Sequence, residues 1–179
     1  MRKSVLYHLL SLDGVSEEPG DWFFDVDAEV FDYLARVIST QDDIVMGRGT
    51  YEYWVDYWPS SDVEPFATFI STHPKHVLTS SPLTKPWTNT VATNEVATAY
   101  VAALRQGPGR DIGIHGSTSL ARALIRERLV DELRLVVVPT VAGSGHRLFA
   151  DDATLQRFDL TNVERTPGGT LLLDYTRRT

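Results

Sequence analysis

Short apolar runs alternate with amphipathic stretches along this chain, and Gly, Pro, Ser and Asp punctuate the joins. Ser4 to Leu12 is apolar and β-rich, the pattern of a strand buried on both faces, and Asp13-Gly14 breaks it. An irregular stretch containing Pro19-Gly20 runs to Phe24. Asp25 then stands as a helix N-cap, because beyond it Val26, Val30, Phe31, Leu34, Val37 and Ile38 fall on one helical stripe. Ile44-Val45-Met46 reads as a short strand ending at Gly47, with a helix starting near Thr50 and a loop around Pro59. Lys75 to Thr79 is a strand closed by Ser80-Ser81-Pro82. Asn89 to Thr93 is a further edge or inner strand, and Glu95 to Gln106 is an alanine-rich helix stopped by Gly107-Pro108-Gly109.

The second half repeats the alternation. Asp111 to His115 is a strand, Gly116-Ser117 a tight turn, and Leu120, Leu124 and Ile125 a helical stripe. Arg126 and Arg128 sit in that helix's last turn, where cations suit the negative end of the dipole. Leu133 to Val138 is a continuous apolar strand. Gln156 to Glu164 and Thr170 to Thr176 flank Pro167-Gly168-Gly169, which predicts a terminal antiparallel hairpin. Strands alternating with helices predict a three-layer α/β/α fold, with a mostly parallel central sheet and an antiparallel C-terminal hairpin. Ligands of such sheets lie beyond the carboxyl ends of the strands.

Composition narrows the classes. The 179 residues suit one core better than two and show no low-complexity stretch, so a single domain over 1–179 is expected. The net charge of −7 speaks against a nucleic-acid surface. There is no cysteine, which excludes disulfides and thiolate metal sites. The run Val5 to Leu12 is too short and too interrupted for a membrane span or signal peptide, so a cytoplasmic address is expected. His73 and His76 have the spacing of a metal pair, but Pro74 lies between them and no third ligand is evident, so no metal site is expected. His115 near Ser117 lacks a nucleophile elbow and does not read as a hydrolase.

Candidate chemistry gathers at the strand ends. His115-Gly116-Ser117-Thr118 runs into a helix whose first N–H groups and positive dipole end form an anion cradle; Gly116 permits close approach, and Ser117 and Thr118 add hydroxyls. Gly47 and Gly49 flank Arg48, whose planar fork suits phosphate, and Thr50 can cap the next helix. Thr79, Ser80 and Ser81 follow a third strand. Each group alone also reads as an ordinary turn or cap. Their joint placement at the ends of parallel strands points to one crevice fit for a dinucleotide.

The run Ile44-Val45-Met46-Gly47-Arg48-Gly49-Thr50-Tyr51-Glu52 resembles the Met-Gly-Arg-x-Thr-aromatic-Glu segment of dihydrofolate reductases. Val77 to Ser80 resembles that family's strand end facing the adenosine 2′-phosphate, and Ile112 to Leu120 its pyrophosphate turn and helix. Ser11-Leu12-Asp13-Gly14, Leu129 to Leu133, Pro139, Gly143-Ser144-Gly145 and Leu148-Phe149 resemble the reductase domain of bacterial riboflavin-biosynthesis deaminase–reductases. Together these resemblances span most of the chain. They imply a dihydrofolate-reductase-like fold that binds NADPH through Gly47, Arg48, Thr50, Thr79, Ser80, Ser81, Gly116, Ser117, Thr118 and Leu120. The implied activity is hydride transfer to a small heterocycle or ribosylaminopyrimidine, as in a 5-amino-6-(5-phosphoribosylamino)uracil reductase. Reduction of dihydrofolate or another pterin, and a non-catalytic nucleotide-binding scaffold, are the alternatives. Two departures stand out: His115 replaces the first of two glycines at the pyrophosphate turn, so a cis peptide there is in question, and no deaminase half accompanies the reductase-like sequence.

Hydride transfer to a C=N bond gains from an acid at the cleft. By resemblance, Asp27 is the candidate, since it precedes Phe31 in a first helical turn as the substrate-binding carboxylate does in dihydrofolate reductases. Asp25 and Glu29 compete with it, and carboxylates suit a first helical turn without any catalytic role. Asp13 is a second option, with a plain Asp-Gly turn as its other reading. Trp22 and Phe31 can stack on a planar substrate or serve the core. A homodimer is also expected: the apolar Leu133 to Val138 strand and the terminal hairpin can offer an edge or a face to a twin, and the resemblance implies a dimer as well.

Overall fold

Among the described residues, eight strands form one sheet: β1 (Ser4–Leu10), β2 (Gln41–Gly47), β3 (Lys75–Leu78), β4 (Thr90–Thr93), β5 (Asp111–His115), β6 (Glu132–Val137), β7 (Phe158–Arg165) and β8 (Leu171–Arg177). The computed structural model describes residues 1–17, 19–149 and 155–178. Across the sheet the order is β4-β3-β2-β5-β1-β6-β8-β7. The six strands from β4 to β6 are mutually parallel, and β8 pairs antiparallel with both β6 and β7. The chain first winds outward from β1 to β4 and then returns to insert β5 beside β1. That reversal is the topological switch at which open α/β sheets form a crevice.

Among the described residues, the α-helices that cover the sheet are α1 (Ala28–Ile38), α2 (Arg48–Tyr57), α3 (Phe66–Thr72), α4 (Ala97–Leu104) and α5 (Thr118–Arg126). Strand alternation sorts the core into two faces. Leu6, Leu10, Val45, Ile112 and Ile114 pack with Val101 of α4 and with Leu120, Leu124 and Ile125 of α5. Val5 and Tyr7 pack with Val30, Tyr33 and Val37 of α1, while Ile44, Met46 and Val77 pack with Tyr51 and Val55 of α2 and with α3. The three-layer prediction therefore holds, with α1, α2 and α3 on one face and α4 and α5 on the other.

Several local expectations are corrected. Asp25 does not cap the first helix: it adopts a left-handed conformation (φ 54°), and Asp27 takes the N-cap position in extended geometry. Tyr33 rather than Phe31 joins Val30, Val37 and Ile38 on the buried stripe of α1. The loop expected after α2 contains α3, whose Phe66, Phe69 and Ile70 are buried. Lys75, with no exposed surface, donates from Nζ to the carbonyls of Ile70 and His73 and so closes the C-terminal end of α3. Arg128 lies beyond the end of α5, in left-handed backbone (φ 57°). The strand singled out for self-association, β6, is paired on both sides, by β1 and β8, and offers no edge; β7 is the free edge at that end of the sheet. Among the described residues the cis peptide is Glu64–Pro65, so His115–Gly116 is trans.

Among the described residues, no helix is long and apolar enough to cross a membrane.

Candidate active site

The carboxyl ends of the parallel strands define one rim. Because β7 runs in the same direction as β1, the β7–β8 turn at residues 166–170 lies on this rim too. At its centre, the turns leaving β2 and β5 are joined by a closed hydrogen-bond cluster. The Gly47 N–H donates to Ser117 Oγ (2.7 Å), Ser117 Oγ pairs with Thr50 Oγ1 (2.6 Å), and the Ser117 N–H donates to Thr50 Oγ1 (2.9 Å). These contacts set the N-termini of α2 and α5 side by side. The first-turn N–H groups of each helix have no carbonyl four residues earlier in the helix to bond, so two positive dipole ends face one place.

Glycine makes this approach possible. Gly116 has φ 63° and is followed by Ser117, also left-handed (φ 52°, ψ 64°). A Cβ on Gly116 would lie 2.7 Å from Thr50 Cγ2 and 3.2 Å from Trp54 Cζ2, and one on Gly47 would lie 3.2 Å from Ser117 Oγ. Nothing lies within 4 Å of a Cβ on Gly49, so the start of α2 opens to space. Beneath the turn, buried His8 donates from Nε2 to the Gly116 carbonyl (2.9 Å). Burial pushes the His8 imidazole down to about 4, which fixes it as a neutral donor. His115, also buried, bonds Gln41 Oε1 (2.7 Å), and desolvation pulls it down to about 3. His8 and Gln41 were not singled out from sequence; their partners lie 108 and 74 residues away, and no local motif marks them.

The other candidates divide sharply. Arg48 is partly exposed and pairs with Glu52 through Nε (3.3 Å). Thr79 Oγ1 donates to the Ser81 carbonyl (2.7 Å) and accepts the Ser81 N–H, closing a local turn that leaves Ser80 exposed. Thr118 Oγ1 pairs with Ser16 Oγ (3.0 Å), which ties the loop after β1 to α5. The Leu120 side chain is buried in the core, so only its backbone N–H, in the first turn of α5, faces the rim. Trp22 is likewise a core residue at 4% exposure; its indole N–H is held by the Glu17 carbonyl, which corrects the expectation that it stacks on a ligand. Phe31 is 37% exposed, and Leu12, Phe24 and Val141 are exposed on neighbouring loops of the same rim.

The two carboxylates differ in kind. Asp13 accepts hydrogen bonds from Ser11 Oγ and from the N–H groups of Ala142 and Gly143, and so locks the loop after β1 to the loop after β6. These bonds hold its carboxyl down at about 2, which suits a permanent acceptor and not a proton donor. Asp27 is half-buried; its Oδ2 accepts the Gly168 N–H (2.9 Å) from the β7–β8 turn, and its Oδ1 has no hydrogen-bond partner among the described residues.

Residues 3–172 match the RibD C-terminal domain family. The chain belongs to that family. A curated relative of 31% identity, the uncharacterized protein YwjB of Bacillus subtilis, aligns over 98% of both chains. The fold is dihydrofolate-reductase-like: the dihydrofolate reductase of Enterococcus faecalis, solved in complex with NADP(H), superposes with a TM-score of 0.67 at 17% identity, covering 99% of this chain and 97% of that one. The diaminohydroxyphosphoribosylaminopyrimidine deaminase/5-amino-6-(5-phosphoribosylamino)uracil reductase of Thermotoga maritima superposes with a TM-score of 0.69 at 13% identity, covering 99% of this chain and 57% of that larger one.

Proposed function

We propose that this RibD-like domain is an NADPH-dependent reductase acting on a small heterocycle of the ribosylaminopyrimidine type. The observation that carries the reading is the closed cluster of Gly47, Thr50 and Ser117, which aims two helix N-termini at one place on a glycine-lined rim. Such a pair of dipole ends, with no Cβ at Gly47 or Gly116, fits the pyrophosphate of a dinucleotide. Arg48 and the exposed Ser80 lie at neighbouring strand ends and would hold the 2′-phosphate side. Once bound, NADPH would supply a hydride to an electrophilic carbon of the substrate.

The chain's own residues supply the rest. Ser117 and Thr50 act by holding the two turns together, through hydroxyls bonded to each other and to the N–H groups of Gly47 and Ser117. His8 fixes the Gly116 carbonyl from below. Asp27 is the carboxylate with an uncommitted oxygen at the rim, and it would accept an N–H of the heterocycle or pass a proton to the reduced bond. Asp13 orders the loops instead. Phe31, with Leu12, Phe24 and Val141, gives the apolar surface on which a planar ring rests.

The test is a steady-state assay that follows NADPH oxidation with 5-amino-6-(5-phosphoribosylamino)uracil and, separately, with dihydrofolate. Turnover of the aminouracil well above that of dihydrofolate is expected. Turnover of dihydrofolate alone would move the substrate class to pterins, and turnover of neither would remove the proposal.

A further inference from the structure

The rim opposite the proposed cofactor site carries a second feature. There, α5 ends, β6 and β7 begin and β8 ends. A cavity of about 420 Å³ opens between them, lined by Arg128, Leu155, Gln156, Arg157, Arg177 and Arg178. Four of these six residues are arginines, in a chain whose net charge is −7. Guanidinium groups do not shed their proton in proteins, so gathering them around one space sets up a repulsion that a bound anion would offset.

Nearby carboxylates relieve part of it. Arg177 donates from Nε to the Val130 carbonyl and pairs with Asp131 at 3.2 Å, and Arg178 is bound to Asp159. The guanidinium groups of Arg128 and Arg157 make no hydrogen bond or ion pair among the described residues; Arg157 feels Asp159 only at longer range. Arg157 also stands across the β7–β8 ladder from Arg178, whose N–H donates to the Arg157 carbonyl (2.9 Å). Like charges in directly opposed positions destabilise a ladder. Gln156 adds a polar group: its Nε2 is spent on the Ile125 carbonyl, and its Oε1 is buried without a partner.

We propose that this cavity binds a small phosphate-bearing polyanion, with Arg128 and Arg157 as the principal ligands. The guanidinium fork matches phosphate oxygens two at a time, and the volume suits a small ligand. The site lies a strand's length, roughly 25 Å, from the proposed cofactor rim, and the inference does not depend on the reductase reading.

The probe is inorganic pyrophosphate, titrated into the ¹⁵N-labelled full chain and followed by amide chemical shifts. Saturable shifts are expected at residues 128, 155–157 and 177–178. In an R128A/R157A variant, confirmed as folded by its spectrum, the dissociation constant should rise about tenfold or more. Both positions are exposed, and a single R157A variant with a smaller rise serves as the second measurement. Shifts confined to residues 47–50 and 116–120, or an affinity unchanged by the double substitution, would overturn the proposal.

Discussion

Asp27 and Asp13 show how hydrogen bonding divides two carboxylates on one rim. Asp13 is saturated by Ser11, Ala142 and Gly143, whereas Asp27 keeps one oxygen uncommitted. Asp27→Asn should therefore lower kcat about tenfold or more, a loss of about 1.4 kcal/mol of transition-state stabilisation, while leaving NADPH affinity unchanged; single-turnover kinetics beside a binding titration separate the two. Ser80→Glu should weaken NADPH and spare NADH, because a carboxylate repels the 2′-phosphate that only NADPH carries; equal loss for both cofactors would remove Ser80 from that role. His8 and His115 set the acid limit. Their folded values, about 4 and about 3, lie below the ordinary 6.5, so the unfolded chain binds more protons between these limits. Stability is then fully present above about pH 6.5 and falls as the pH drops towards 4. Melting temperatures measured from pH 7.5 to 4 should decline over that window, and a flat profile would contradict the burial of both neutral rings.

At the scale of elements, the turn between β5 and α5 is the most constrained piece. Gly116→Ala puts a side chain into left-handed backbone, at about 1–2 kcal/mol, and drives its Cβ to 2.7 Å from Thr50. The variant should melt earlier and also lose cofactor affinity, which differential scanning calorimetry and a binding titration would register together. Most elements were legible in the sequence. β5 spans the expected residues, and β1 and the hairpin were found because apolar runs ended in strong turn residues. α3 was not legible because Phe66 to Thr72 is only seven residues long and rich in aromatic and β-branched residues, which are weak helix formers, although Phe66, Ala67, Phe69 and Ile70 do share one buried face. The strand-end groups of the site were legible as Gly and Ser punctuation. Their mutual closure was not, because Thr50 and Ser117 meet across 67 residues, nor was the choice between core and ligand platform for Trp22, because nothing local distinguishes the two.

At the scale of the whole molecule, one sheet separates two rims of different chemistry. The carboxyl-end rim gathers helix N-termini, glycine turns and Asp27, and the opposite rim gathers arginines at the close of α5 and β8. On the first rim, the paired N-termini of α2 and α5 would bind the phosphates of NADPH. Isothermal titration calorimetry of the full chain with NADPH and with NADH tests it most directly. Saturable NADPH binding, about tenfold or more tighter than NADH, is expected, together with its loss in Gly116→Val. Absence of NADPH binding to the folded chain, or binding that Gly116→Val leaves intact, would contradict it.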